Sequence, residues 1–192
     1  GSIPVINGLT DLMHPCQALA DLFTIYERKG CLKNLKLAYV GDGNNVAHSL
    51  LHGCAKAGMD IAVACPEGYG CNEEIIREAM DDAMESGSKI TLTECPEEAV
   101  EGADAVYTDT WVSMGQEDDA EDRRNALLDY KINRPLLACA SPGCKVMHCL
   151  PAHRGEEIDS DVMDSDASIV FEQAENRLHV QKALLCTLMG TS

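Results

Sequence analysis

Short β-branched runs alternate with longer stretches of helical spacing along most of this chain, and that alternation constrains the fold more than any other feature. "LKLAYVGDG" (35–43) reads as a buried strand ending in a glycine turn, and "NVAHSLLHGCAKAG" (45–58) as a helix stopped by Gly58. "DIAVACP" (60–66) is a second strand. "NEEIIREAMDDAMESG" (72–87) is a helix with acids in its first turn and glycine at its end, as the helix dipole and C-cap favour. "KITLTE" (89–94) is a third strand, "PEEAVEGA" (96–103) a short helix and "DAVYTDTW" (104–111) a fourth strand. "DDAEDRRNALLDY" (118–130) is helical, "CKVMHCLP" (144–151) is a fifth strand closed by Pro151, and "EQAENRLHVQKALLCTLMG" (172–190) is a long final helix.

This order predicts an α/β fold: a doubly wound, Rossmann-like parallel sheet of about five strands with helices on both faces. Such sheets bind ligands beyond the C-terminal ends of their strands. Asn45 follows the first strand, Asp109 ends the fourth and Cys149 ends the fifth. Their convergence on one crevice is a stronger signal than any single motif.

The first 30 residues stand outside this unit. "DLMHPCQALADLFTIYERKG" (11–30) is a helix with Pro15 suited to its first position, His14 at the cap and an apolar stripe of Leu19, Leu22, Phe23 and Tyr26. The amide groups at its start can receive an anion. Gly1-Ser2 reads as a cloning scar, the rest as a linking helix over 3–30, an α/β domain over 31–171 and a terminal helix over 172–190.

A net charge of −17 argues against nucleic acid and anionic membranes as partners, because both demand a basic surface. No apolar run reaches the roughly 20 residues of a membrane span, and no signal peptide is visible. The ten cysteines include no C-x-x-C pair, and "IAVACP" and "LLACAS" place them in apolar contexts. That usage suits a cytoplasmic protein with buried thiols rather than disulfides. Cys139, Cys144, His148 and Cys149 match no usual zinc spacing, so neither a metal nor another cofactor is expected.

Four motifs carry chemistry. "GDGNN" (41–45) lacks the third glycine and the acidic second-strand end of a dinucleotide site; it is a tight turn, or it offers Asn45 to a polar substrate. "DTWVSMGQE" (109–117) sets the Asp109 carboxylate beside the Ser113 hydroxyl and a turn of backbone amides at Met114, a receptor for a zwitterionic amino acid or else an ordinary loop. "HPCQ" (14–17) puts His14 and Gln17 one helical turn apart, suited to polarising a carbonyl and accepting from an amide. In "MHCLPAHRGEE" (147–157), Cys149 and Leu150 could belong to a metal site, a nucleophile or a substrate-holding turn.

"HPCQALAD", "GDGNN", "DTWVSMGQE", "HCLPAHRGEE" and "FEQAENRLH" stand in the order found in ornithine carbamoyltransferases, and nearly the whole chain resembles that family. The H-P-x-Q element is shared with aspartate carbamoyltransferases, whereas D-x-W-x-S-M-G and H-C-L-P point to ornithine. The resemblance implies attack of the neutral δ-amine of L-ornithine on carbamoyl phosphate, giving L-citrulline and phosphate. It implies that Asn45, Asp109, Ser113 and Met114 hold ornithine. It implies that His14, Gln17, Arg177 and the main-chain carbonyls of Cys149 and Leu150 serve carbamoyl phosphate, with the Cys149 side chain beside the attacking amine. His14, Asp109, Cys149 and Arg177 are then the catalytic candidates, and 147–157 becomes a substrate-holding turn.

The family's phosphate-binding S-x-R-T motif belongs to an N-terminal carbamoyl-phosphate domain and does not occur in this sequence. The expectation is an ornithine-binding fragment, inactive alone, whose first and last helices expose Leu19, Phe23, Leu184, Leu185 and Leu188 or pack on each other. Family members form homotrimers largely through the missing domain. A carbamoyltransferase for N-acylated ornithine or putrescine, an isolated amino-acid-binding module and, more distantly, an NAD enzyme are the alternatives.

Overall fold

A computed structural model describes residues 3–112 and 117–190. Five parallel strands form one sheet: β1 (Lys36–Val40), β2 (Asp60–Ala64), β3 (Ile90–Thr93), β4 (Ala105–Thr108) and β5 (Lys145–His148). Their spatial order is β3-β2-β1-β4-β5. The winding therefore reverses between β1 and β4, where Leu37 lies opposite Ala105 and Tyr39 opposite Tyr107. A parallel sheet opens a crevice at such a reversal, beyond the C-terminal strand ends.

Successive strand residues point to opposite faces, so each strand feeds two cores. Leu37, Tyr39, Ile61, Val63, Tyr107 and Met147 pack on one side, against the helices α1 (Pro15–Lys29), α2 (Asn45–Ala57) and α3 (Glu73–Ser86). Ala38, Val40, Ala62, Ala64, Val106 and Val146 pack on the other. There they meet α4 (Pro96–Val100), α5 (Ala120–Leu127), α6 (Arg134–Leu137) and α7 (Ser160–Met163). The predicted doubly wound α/β architecture is the observed one.

Local chemistry sets the helix ends. Asn44 caps α2 by accepting from the amides of Val46 and Ala47, and Asn72 caps α3 through Glu74 and Ile75. Pro15 stands at the first position of α1, as its fixed φ favours. Gly58 and Gly87 end α2 and α3 with φ of 71° and 81°, a conformation that β-carbons resist.

Two expectations need correction, and two short helices were not anticipated. The single helix over 118–130 is instead α5 flanked by 3-10 turns at Glu117–Asp119 and Leu128–Tyr130. Helices α6 and α7 have four residues each, too few to produce a periodic signal. Cys139 is exposed in the turn after α6 rather than buried, although Cys16, Cys54, Cys65 and Cys144 are buried. All ten cysteines are free thiols.

The last helix, α8 (Val170–Met189), lies against α1. Asn176 Nδ2 donates to Thr24 Oγ1 at 3.0 Å and to Glu27 Oε2 at 2.7 Å, and Arg28 pairs with Glu172. Gly53 lets α1 approach α2, since a Cβ there would sit 2.9 Å from Leu22 Cδ1. The outer faces of α1 and α8 leave Leu19, Phe23, Leu185 and Leu188 exposed and Leu184 half-buried. Among the described residues, no helix is long and apolar enough to cross a membrane.

Candidate active site

The crevice at the β1–β4 reversal gathers side chains from β1, β4 and β5 and from the two packed helices. Asp109, one residue beyond β4, is buried. Its Oδ2 accepts from Asn44 Nδ2 at 2.7 Å, and its Oδ1 from the Cys149 thiol at 2.8 Å and the Thr110 amide at 2.7 Å. Among the described residues it has no ion-pair partner, so a carboxylate there is held by neutral donors alone. A buried carboxylate in that state favours a cationic ligand.

Cys149 sits one residue beyond β5. Burial pushes its thiol well above the usual range, and the neighbouring Asp109 charge adds to the effect. The thiol is therefore protonated at neutral pH and serves as a hydrogen-bond donor. Activated nucleophilic cysteines require the opposite environment.

The turn that follows is rigidly specified. The Leu150 amide donates to His148 Nδ1 at 2.9 Å, leaving Nε2 to donate to Glu157 Oε1 at 3.2 Å. Both ring nitrogens of the fully buried His148 are thus engaged within the fold. Leu150 has φ of 60° and precedes Pro151 through a cis peptide. Asp109, His148 and Cys149 bring potential ligand atoms within 4.8 Å of one another. However, both ring nitrogens of His148 are committed to hydrogen bonds within the fold, which does not suit a metal. The four-residue zinc set considered from the sequence does not assemble among the described residues, where Cys139 and Cys144 join no such cluster.

The opposite wall comes from α1 and α8. His14 caps α1, with its main-chain amide donating to Ser49 Oγ at 2.7 Å. Burial lowers its pKa, and the Arg177 charge lowers it further; the Gly8 main chain and Asp109 act in the opposite direction. The imidazole is neutral at pH 7, and its buried Nδ1 has no partner among the described residues. Gln17 is buried, with Oε1 accepting from Arg177 Nη1 and Nε2 donating to Asp21 Oδ1 at 2.8 Å. With its amide carbonyl turned inward, Gln181 accepts from Arg177 Nη2 at 2.8 Å.

The structure thus brings His14, Gln17 and Arg177 to one wall and Asp109 and Cys149 to the other. Asn45 lies at the rim, where its Nδ2 donates to the Thr10 carbonyl at 2.7 Å. Its neighbour Asn44, not singled out from the sequence, is the one that holds Asp109. Ser113 and Met114 lie outside the described residues.

Sequence reasoning also missed the support beneath the crevice. Arg123 Nη1 pairs with the buried Asp42 at 2.9 Å, and its guanidinium carbon lies 5.3 Å from the centre of the Tyr69 ring. Gly43, read as part of a tight turn, is required by close packing: a Cβ would stand 2.4 Å from Cys71 N and from Gly70 C. A cavity of about 580 Å³ lies at the ends of β2 and β3, lined by Cys65, Cys71, Ile76 and Leu92. It includes none of the crevice residues.

Comparison with known proteins fits this geometry. The family model described as aspartate/ornithine carbamoyltransferase, Asp/Orn binding domain, matches residues 33–188. The model described as aspartate/ornithine carbamoyltransferase, carbamoyl-P binding domain, matches residues 1–27. The expectation of an ornithine-binding domain with none of the other is corrected to that extent: the stretch read as a linking helix matches the second domain's model. The anabolic ornithine carbamoyltransferase of Pyrococcus furiosus is 54% identical over 189 residues, covering 98% of this chain and 60% of the relative. The ornithine carbamoyltransferase of Bacillus subtilis is 55% identical over 187 residues, covering 97% and 59%. The solved structure of the Pyrococcus furiosus protein superposes with a TM-score of 0.95 at 53% identity, over 100% of this chain and 62% of that one. That of ornithine transcarbamoylase from Giardia lamblia gives 0.89 at 32% identity, over 96% and 62%. The chain spans about 60% of the length of the relatives it matches.

Proposed function

The chain belongs to the aspartate/ornithine carbamoyltransferase family, and from that premise we propose that it supplies the acceptor side of an ornithine carbamoyltransferase, transferring the carbamoyl group of carbamoyl phosphate to L-ornithine. The observation that carries this reading is the Asp109 carboxylate, buried at the crevice with only neutral donors among the described residues. An α-ammonium group would supply the missing charge.

In this reading Asp109, with Asn45, Ser113 and Met114, holds the amino-acid end of ornithine. Asn45 exchanges its bond to the Thr10 carbonyl for the substrate. His14, neutral under the influence of burial and Arg177, donates to the carbamoyl oxygen as negative charge develops there. Gln17 and the carbonyls of Cys149 and Leu150 accept from the carbamoyl NH₂, and Arg177 balances charge at the carbonyl and phosphate. The δ-amine attacks as a neutral nucleophile. The protonated thiol of Cys149 stays beside it as a hydrogen-bond donor and forms no covalent bond.

Residues 31–171 then form the ornithine-binding domain, with 3–30 and 172–190 facing a carbamoyl-phosphate-binding half. The exposed apolar residues of α1 and α8 support that contact. Assembly as a trimer through that half and residence in the cytoplasm complete the proposal; ten free thiols support a reducing compartment.

N-acylated ornithine has no α-ammonium and leaves Asp109 unpaired, whereas putrescine keeps an ammonium for Asp109 but brings no α-carboxylate to Ser113 and Met114. Calorimetry with L-ornithine, Nα-acetylornithine and putrescine, each with and without carbamoyl phosphate, tests the assignment. Heat with ornithine alone among the three supports it. Equal or stronger binding of either analogue contradicts it.

A further inference from the structure

One buried carboxylate sets the orientation of two side-chain amides that frame the crevice. Asp21 on α1 is fully buried, and its Oδ1 accepts from Gln17 Nε2 at 2.8 Å and from Gln173 Nε2 at 2.7 Å. An amide side chain has two orientations related by a flip, and its neighbours select one. Because Oδ1 accepts from both NH₂ groups, both carbonyl oxygens must point away from it. Gln17 Oε1 then meets Arg177 Nη1, and Gln173 Oε1 meets the His148 amide at 2.9 Å. Flipping Gln17 would set its NH₂ against the guanidinium, donor against donor. Flipping Gln173 would leave the amide preceding Cys149 without an acceptor.

We propose that Asp21 is a positioning residue that holds Gln17 and Arg177 in register for carbamoyl phosphate and ties the end of β5 to α8. The role rests on the carbamoyltransferase reading above; neither the H-P-x-Q element nor the strand-end residues include it. Asp21 touches no crevice opening and acts through Gln17 and Gln173.

The second oxygen distinguishes variants. Asp21 Oδ2 is buried without a partner among the described residues, as is the Tyr107 hydroxyl. Burial pushes the Asp21 carboxyl up to about 7, while Gln17, Gln173, the facing Tyr107 hydroxyl and the Arg177 charge pull it down. An asparagine keeps one accepting oxygen for both glutamines and places an NH₂ at the vacant oxygen position. Asp21→Asn is therefore the conservative variant and Asp21→Ala the disruptive one.

Two readouts test this. In NMR of the unmodified chain, the NH₂ groups of Gln17 and Gln173 should be slow to exchange with solvent, which needs no variant to fold. In Asp21→Ala both should lose protection together, and Asp21→Asn should restore it. Fast exchange in the unmodified chain, or unchanged protection in Asp21→Ala, overturns the proposal. Kinetics of the catalytically competent protein supply the second readout. Loss of a hydrogen bond to a charged group should raise the carbamoyl-phosphate KM by about tenfold or more in Asp21→Ala, with the ornithine KM changing far less. Asp21→Asn should recover most of that loss. An active parent whose Asp21→Ala variant keeps its carbamoyl-phosphate KM overturns the role alone. A parent that transfers no carbamoyl group to ornithine overturns the reading beneath it, and the role falls with it.

Discussion

The thiol of Cys149 donates to Oδ1 of Asp109 across 2.8 Å, joining the ends of β5 and β4. Two potentially reactive groups thereby hold each other in unreactive states: the carboxylate as an acceptor and the thiol as a donor. Burial and the Asp109 charge both oppose thiolate formation.

Alkylation by iodoacetamide should therefore discriminate sharply among the cysteines. Cys31, Cys139 and Cys186 are exposed and should react first between pH 7 and 9. Cys149 should be among the slowest, as peptide mass spectrometry would measure. Cys149→Ser keeps a donor to Asp109 and should retain carbamoyl transfer within about tenfold, the scale of one altered hydrogen bond. Preferential alkylation of Cys149 would contradict the protonated-thiol account.

Asn44 both caps α2 and holds Asp109. Asn44→Ala should cost about 1–3 kcal/mol in urea melts, from a lost cap and a lost bond to a carboxylate. Asn44→Asp keeps the cap but sets a like charge against Asp109. It should weaken ornithine affinity more than Asn44→Ala does, although the melts should rank the two the other way if the cap dominates stability.

Gly43→Ala should destabilise the chain by roughly 2–4 kcal/mol, because its new methyl meets backbone atoms that cannot rotate away. The displaced segment is the one that carries Tyr69, whose carbonyl accepts from the Gly43 amide at 2.8 Å. Loss of the Tyr69 contact with Arg123 should accompany the fall in midpoint.

Stability should respond to pH through two buried groups of opposite sign. Asp21 titrates near 3.8 when unfolded and at about 7 when folded. Between those values the folded chain holds a proton that the unfolded chain has released, so stability falls as pH rises through the window. The full cost is on the order of 4 kcal/mol. His48 behaves inversely. Burial lowers its pKa below 6.5, while its Nδ1 donates to the Leu12 carbonyl at 2.9 Å and its Nε2 accepts from the Asn72 amide at 2.9 Å. Stability from neutral His48 is complete above 6.5 and is lost as pH falls below it. Urea midpoints from pH 4 to 8 should show Asp21→Asn flattening the decline toward neutral pH and His48→Gln flattening the decline toward acid.

Much of this was written in the sequence. Strand runs and helical spacing located β1 to β5 and the long helices, because each element has enough residues to show its period. The residues following β1, β4 and β5 were legible as a crevice for the same reason. The four-residue helices α6 and α7 carried no period, and an apolar setting did not reveal that Cys139 faces solvent. Spacing could not decide which of Asn44 and Asn45 turns toward Asp109, since adjacent residues at a helix start diverge by about 100°. Asp21 was within reach: it stands four residues after Gln17, a spacing that puts both on one helix face. Its second partner, Gln173, is 152 positions away and needed the fold.

The most direct measurement is citrulline formation from L-ornithine and carbamoyl phosphate, by this chain alone and after mixing with a separately produced carbamoyl-phosphate-binding half. The account predicts little or no product from the chain alone and sustained turnover on mixing, abolished by Asp109→Asn. Full turnover by the chain alone would contradict the need for a second half. No turnover on mixing, with both parts folded and associated, would contradict the assignment of the crevice to ornithine.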